Sequence, residues 1–109
     1  MIMCAIIFRN RNTIKNDDMA KLDQEQINVE IEKLKGWSSE GDWIVKEFQF
    51  ENFRDAMGFM VKASYEAEEL NHHPNWSNVY NRVKVELQTH SEGGVTGKDI
   101  ELASRLDNI

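Results

Sequence analysis

Cysteine is nearly absent from this chain of 109 residues, where Cys4 stands alone. A lone thiol excludes an internal disulfide framework and a zinc site built from several cysteines, so a reducing compartment, the cytoplasm, is the expected setting. Proline occurs once, at Pro74, and glycine six times, which excludes a collagen-like or Pro/Gly-rich disordered chain. Long apolar runs are missing too. The stretch 1–8 is apolar, but eight residues fall far short of the roughly 20 needed to span a bilayer. Arg9 and Arg11 follow that stretch instead of preceding it as in a secretory signal. Neither a membrane nor an export route is expected. Positive charge is also short: 13 Lys and Arg are scattered among 19 Asp and Glu, for a net charge of −6. Nucleic-acid binding driven by counterion release needs clustered basic residues, so it is excluded as a general function.

What remains is an ordinary globular composition, 40 % apolar and 29 % charged, in a chain of single-domain size that can bury roughly 60 to 70 % of its unfolded surface. Residues 9–18 are almost wholly polar, and helical periodicity begins only after Met19. The expected organisation is therefore a flexible N-terminal extension, 1–19, before one domain over 20–109. The abrupt change makes Met19 a candidate start. A transit peptide is the competing reading of the Arg-rich beginning.

Asp23 with Gln26 forms a capping box, and Ile27, Ile31 and Leu34 recur at helical spacing, with Val29 on the flank, up to Gly36. From Trp37 to Glu51 the period changes to two around Glu40-Gly41-Asp42, which predicts a hairpin. Asn52 then offers an N-cap to the longest helix, whose apolar face is expected to hold Phe53, Ala56, Met57, Met60, Ser64 and Ala67. Pro74 disfavours helix at His73, so this helix ends at or before the His72-His73 pair. Val79 to Thr89 alternates as one long strand, with Val79, Val83, Val85 and Leu87 inward and Tyr80 near its start as a packing residue. Thr96 and Asp99 form a second capping box, before a last helix with an Ile100, Ala103 and Leu106 stripe. The order helix, two strands, helix, strand, helix predicts a single α+β domain, helices packed on one face of a small antiparallel sheet.

All three histidines lie within nineteen residues, at His72, His73 and His90. Imidazole exchanges protons near neutrality, so the cluster points to acid–base chemistry or a metal. Adjacent His72 and His73 diverge on any regular backbone, and the i, i+4 spacing of helical ligand pairs is absent, so a metal is disfavoured. Glu68 lies one turn before His72 and is expected to orient it. Glu68 and Glu69 also sit near a helix C-terminus, where the macrodipole disfavours negative charge. For Glu68 that is a functional hint; Glu69 reads as a solvated acidic residue.

The ordered set Glu68, His72-His73-Pro74, Tyr80, His90 and Asp99, with its intervening gaps of three, five, nine and eight residues, resembles the signature of the pterin-4a-carbinolamine dehydratases. The likeness extends over roughly residues 20 to 109, including Asn75-Trp76-Ser77-Asn78-Val79-Tyr80 and Asp99-Ile100-Glu101-Leu102-Ala103. It implies a four-stranded antiparallel sheet with helices on one side, the fourth strand coming from Trp37 to Ser39 or from an edge that periodicity does not resolve. It implies dehydration of 4a-hydroxytetrahydropterin to quinonoid dihydropterin, a recycling step needing no metal or redox cofactor. The same likeness gives His72, His73 and His90 as the catalytic set, with His72 and His90 the main proton carriers and Glu68 beside them. Pterin-edge contacts are then expected from Asn71 to His73 and from Gln88, Thr89, His90 and Ser91, with Trp76 or Pro74 over the ring face. Asp99 is explained by capping alone. A homodimer or homotetramer is also implied. The rival expectation is a non-catalytic binding role, since the fold resembles coactivators and degenerate dehydratase-like assembly factors too; inactive members tend to lose the histidine pattern, which is intact here.

Overall fold

The computed structural model describes residues 20–109; the expectations for Cys4, for an extension over 1–19 and for a start at Met19 lie outside the described residues. Asp23 caps helix α1 (Gln24–Glu32) reciprocally: its side chain accepts from the Gln26 N–H at 2.8 Å, and Gln26 Oε1 accepts from the Asp23 N–H at 2.9 Å. The helix stops a turn earlier than Gly36. Lys33 and Leu34 donate instead to the carbonyls of Glu30 and Ile31, a tightened final turn. Ile27 is buried, with Ile31 and Leu34 partly covered.

Strands β1 (Ser38–Glu40) and β2 (Trp43–Gln49) form the expected hairpin, closed by the pair Glu40 and Trp43 with Gly41 at φ 62°. The long strand is corrected to two, β3 (Asn75–Val79) and β4 (Arg82–Leu87), joined through Tyr80-Asn81 with Val79 opposite Arg82. Tyr80 takes φ 52°, a conformation that glycine or asparagine usually supplies. Asparagine amides hold the turn: Asn78 Nδ2 donates to the carbonyls of Tyr80 and Arg82 at 3.0 and 2.9 Å, and Asn81 Nδ2, within the turn, to that of Phe50 at 2.7 Å. The reversal leaves Val79 and Tyr80 each 62 % exposed, so neither packs as expected. The sheet order is β1-β2-β4-β3, every pair antiparallel, and the fourth strand is the edge β3.

Helix α2 (Phe53–Leu70) starts on Asn52, whose side chain accepts from the Asp55 N–H at 2.8 Å. Its buried face is Ala56, Phe59, Ala63 and Ala67, rotated from the expected one, so that Phe53 is half exposed and Ser64 faces solvent. Phe59 decides the rotation because it packs against Phe48 and Phe50, with ring centroids 4.6 and 5.0 Å away. Thr96 and Asp99 cap helix α3 (Gly97–Asp107). The core lies between the helices and one sheet face, where Ile44, Val83, Val85 and Leu87 are at most 1 % exposed. Glu47, Gln49, Arg82 and Lys84 occupy the other face, in the solvent.

Two charged groups lock the helices. Arg105 on α3 donates to Glu66, Glu69 and Glu101 at 3.2, 2.5 and 3.0 Å, so Glu69 is an ion-pair partner across two helices. Burial works against the Arg105 charge, but its hydrogen bonds to Glu69, Glu101 and Glu66 outweigh it and raise its pKa. Asp107, whose side chain is 4 % exposed, accepts from Lys46 Nζ at 2.7 Å, Trp37 Nε1 at 3.0 Å and the Lys35 N–H at 3.0 Å. Asp107→Ala leaves all three donors short of their acceptor and is expected to cost about 2 to 4 kcal/mol. A urea midpoint equal to the wild type would show that this tie carries no stability.

Candidate active site

The end of α2 is what separates the two adjacent histidines. Asn71 adopts a left-handed conformation (φ 51°), its N–H bonds back to the Glu68 carbonyl, and the His72 N–H reaches the Ala67 carbonyl at 2.9 Å. That is a Schellman-type stop. It turns His72 inward, where its side chain is 12 % exposed, while His73 faces outward at 61 %. The helical i, i+4 relation between Glu68 and His72 therefore does not form. Glu68 accepts from His73 Nε2 at 2.8 Å instead, in an exposed pair.

His72 finds a different partner, 27 residues along the chain. Its Nε2 lies 2.5 Å from Oδ1 of Asp99, which is 0 % exposed. The second oxygen, Oδ2, accepts from the Thr96 N–H at 2.9 Å and from Thr89 Oγ1 at 2.8 Å. Thr89 and Thr96 hydroxyls are themselves 2.7 Å apart. One carboxylate thus caps α3 with one oxygen and holds an imidazole with the other. A carboxylate accepts only, so His72 Nε2 carries the proton in this pair and Nδ1 is the nitrogen left to meet a ligand.

His90 opens a single 3-10 turn (His90–Glu92), after a bridge between Thr89 and Gly94. Gln88 fixes its ring. Gln88 Nε2 donates to the Asp42 carbonyl at 3.3 Å, so Oε1 is the atom 3.1 Å from His90 Nδ1. Nδ1 donates there, and Nε2 remains free.

These groups meet in a cavity of about 560 Å³, of the size usual for small-molecule sites. Asn71, His72, His73 and Pro74 form one wall, and Gln88 and His90 another. Asn75 and Trp43 complete the lining; neither was a sequence candidate. Six candidates fall outside it: Glu68, Trp76, Tyr80, Thr89, Ser91 and Asp99. Thr89 turns its hydroxyl into the Asp99 cluster, and its backbone N–H is taken by the Gly94 carbonyl. Ser91 lies exposed on the 3-10 turn, and Trp76 packs against the core beside β4. Tyr80 sits at the tip of the β3-β4 turn, the opposite end of those strands from His73-Pro74. Among the described residues no three His, Cys, Asp or Glu side chains converge as a metal cage, and no helix is long and apolar enough to cross a membrane.

Residues 20–109 match the sequence profile of the family Pterin 4 alpha carbinolamine dehydratase. A protein of Opitutus terrae, provisionally named a pterin-4-alpha-carbinolamine dehydratase, is 54 % identical over 89 residues, covering 81 % of this chain and 92 % of that one. A relative of the same provisional name from Sulfolobus acidocaldarius is 45 % identical over 89 residues, 82 % of this chain and 98 % of its own. Among solved structures, the transcriptional coactivator/pterin dehydratase of Brucella melitensis superposes with a TM-score of 0.79 at 42 % identity, over 81 % of this chain and 96 % of that one. A pterin dehydratase-like RuBisCO assembly factor of the alpha-carboxysome shares the fold at 22 % identity, with a TM-score of 0.59 over 68 % of this chain and 88 % of its own. With that profile match and those identities, the chain belongs to the pterin-4-alpha-carbinolamine dehydratase family.

Proposed function

We propose that this protein dehydrates 4a-hydroxytetrahydropterin to quinonoid dihydropterin, with His72 and His90 moving the protons. The observation that carries the proposal is the paired imidazoles: two rings in one cavity, each with one nitrogen committed to a fixed acceptor (Asp99 Oδ1, Gln88 Oε1) and the other unengaged. The reaction breaks the C4a–O bond and releases water. The oxygen gains a proton, N5 loses one, and the N5 lone pair closes the new double bond. Oxidation level is unchanged, so the chemistry as written draws on no redox cofactor or metal. A proton donor and a proton acceptor suffice, each worth on the order of 10² to 10⁴ in rate.

Asp99 gives an imidazolium at His72 a buried counter-charge, which suits His72 to the role of acid. His90 is held to its amide acceptor with Nε2 free, which suits it to take the N5 proton. His73 and Glu68, paired at the rim, would shape the entrance. The side-chain amides of Asn71 and Asn75 both donate and accept, as the 2-amino-4-oxo edge of a pterin requires; Asn75 gives one of its N–H bonds to Glu86 Oε1 at 2.9 Å and keeps the other. The setting is pterin cofactor recycling in the cytoplasm by a homodimer or homotetramer. Exposed Val61 and Tyr65 on α2, and the edge strand β3, are surfaces where copies would meet.

The test is a stopped-flow assay of 4a-hydroxytetrahydropterin dehydration between pH 6 and 9, comparing wild type with His90→Ala. Acceleration by the wild type, reduced at least tenfold in the variant, is the expected result. No acceleration by the wild type would transfer the fold to a binding or assembly role, as in the rival reading.

A further inference from the structure

The three tryptophans have three different surroundings. Trp37 is 6 % exposed, meets Phe48 edge-on at 6.0 Å and donates its N–H to Asp107, so its place is structural. Trp76 packs against the core from β3. Trp43 is only partly buried, stacks on no other aromatic ring and, among the described residues, donates its indole N–H to no acceptor. It stands at the start of β2, where the register brings it level with Gln88, one position beyond the Ile44 and Leu87 pair, and it lines the histidine cavity. It is the cavity's one indole or phenyl ring; every other ring there is an imidazole or the proline.

Such a wall has ample donors and acceptors, and Trp43 is its one broad aromatic face. Asn71, and Asn75 with the N–H it does not give to Glu86, can meet the edge of a flat heterocycle, and the imidazoles its reacting centre, while Gln88 is committed to Asp42 and His90; none of these amides is broad enough to cover the ring face. A flat aromatic ring is held by stacking as well as by its edge, and one aromatic side chain is commonly worth about tenfold or more in affinity. We infer that Trp43 is the substrate-stacking residue of this cavity, laying its indole against the pterin ring and setting how tightly the ring is held while the histidines act at C4a and N5. The inference rests on the dehydratase reading for its ligand; of the two residues expected over the ring face, Trp76 packs against the core and Pro74 lines the cavity with Trp43. Because Trp43 touches the ring face and not the departing hydroxyl, it acts on ground state and transition state alike. Its loss is expected chiefly in KM.

Full-length wild type, Trp43→Ala, Trp43→Leu and Trp43→Phe should be compared in two assays, dehydration kinetics and calorimetric binding of 7,8-dihydrobiopterin as a stable flat probe. Trp43→Ala and Trp43→Leu should raise both KM and the probe Kd about tenfold, with a smaller fall in kcat, and Trp43→Phe should recover to within about threefold of wild type. Leu keeps apolar bulk without an aromatic face, so a weak Leu variant with a sound Phe variant isolates stacking even if the Ala variant folds poorly. Equal KM and Kd in wild type and the Leu variant would overturn the inference while leaving the dehydratase reading intact. Probe binding that depends on Trp43 in a wild type without dehydratase activity would do the reverse, and a wild type that neither binds nor reacts would overturn both.

Discussion

His72→Ala is expected to lower turnover of 4a-hydroxytetrahydropterin at least tenfold, and by as much as about 10⁴ if His72 is the acid that protonates the departing hydroxyl. The fold should survive, because Asp99 keeps its bonds from the Thr96 N–H and the Thr89 hydroxyl when the imidazole is gone. The loss should fall on kcat, since a proton delivered in the transition state leaves ground-state binding largely untouched. His73→Ala serves as the internal comparison. His73 is 61 % exposed and paired with a Glu68 side chain that is 75 % exposed, so its proton competes with bulk water and its removal should cost less. A folded His72→Ala variant with wild-type turnover, or a His73→Ala variant that is the worse of the two, would move the acid away from His72. The pH profile separates chemistry from positioning: loss of an acid flattens the limb on which turnover falls as pH rises, whereas a general distortion lowers the curve without changing its shape.

How much of this was legible in the sequence follows from the range of each interaction. The caps were legible because they close within three residues: Asp23 with Gln26, Asn52 with Asp55, and Thr96 with Asp99 all form as their spacing predicts. The hairpin at Gly41 was legible for the same reason. The β3-β4 reversal was not, because Val79 and Val83 share a parity across the turn and the left-handed residue is a tyrosine, its turn held by the amide of Asn78 and by the bond from Asn81 to the remote Phe50 carbonyl. In α2 the sequence offers two overlapping apolar faces, and only the Phe48 and Phe50 rings on the sheet choose the one that buries Phe59.

The site divides in the same way. The histidine cluster and the gaps around it mark the family, but the partner of each ring is a tertiary fact. Glu68 loses His72 because the helix ends at Leu70, two residues short of His72, and Asn71 turns left-handed, so no i, i+4 pair forms. Asp99 is the cap its spacing predicts, through Oδ2; the capping box accounts for a single oxygen and is silent on the other, which holds His72. Trp43 gave no signal at all, since a tryptophan opening a hairpin strand is ordinary β composition until the fold sets it level with Gln88.

The two tasks of Asp99 make its substitutions the sharpest test of the site. Asp99→Ala removes the acceptor from the Thr96 N–H, the Thr89 hydroxyl and His72 Nε2 at a position with no solvent exposure. It should cost about 3 to 5 kcal/mol and abolish activity along with much of the folded population. Asp99→Asn is more informative. An amide has one accepting oxygen and one donating nitrogen, so one of the two sides must now face a donor. The Thr96 N–H is backbone and cannot become an acceptor, whereas an imidazole can shift its proton from Nε2 to Nδ1. The amide oxygen should therefore keep the cap, and the amide nitrogen should donate to His72 Nε2. That leaves the fold within about 2 kcal/mol of wild type, but it holds His72 in the opposite tautomer without a counter-charge for its protonated form. Turnover should then fall by on the order of 10² to 10⁴. Urea denaturation and stopped-flow turnover measured on the same preparation decide it: a stable, slow Asp99→Asn variant shows the carboxylate serving His72, and a stable variant with wild-type turnover shows that Asp99 does nothing beyond capping α3.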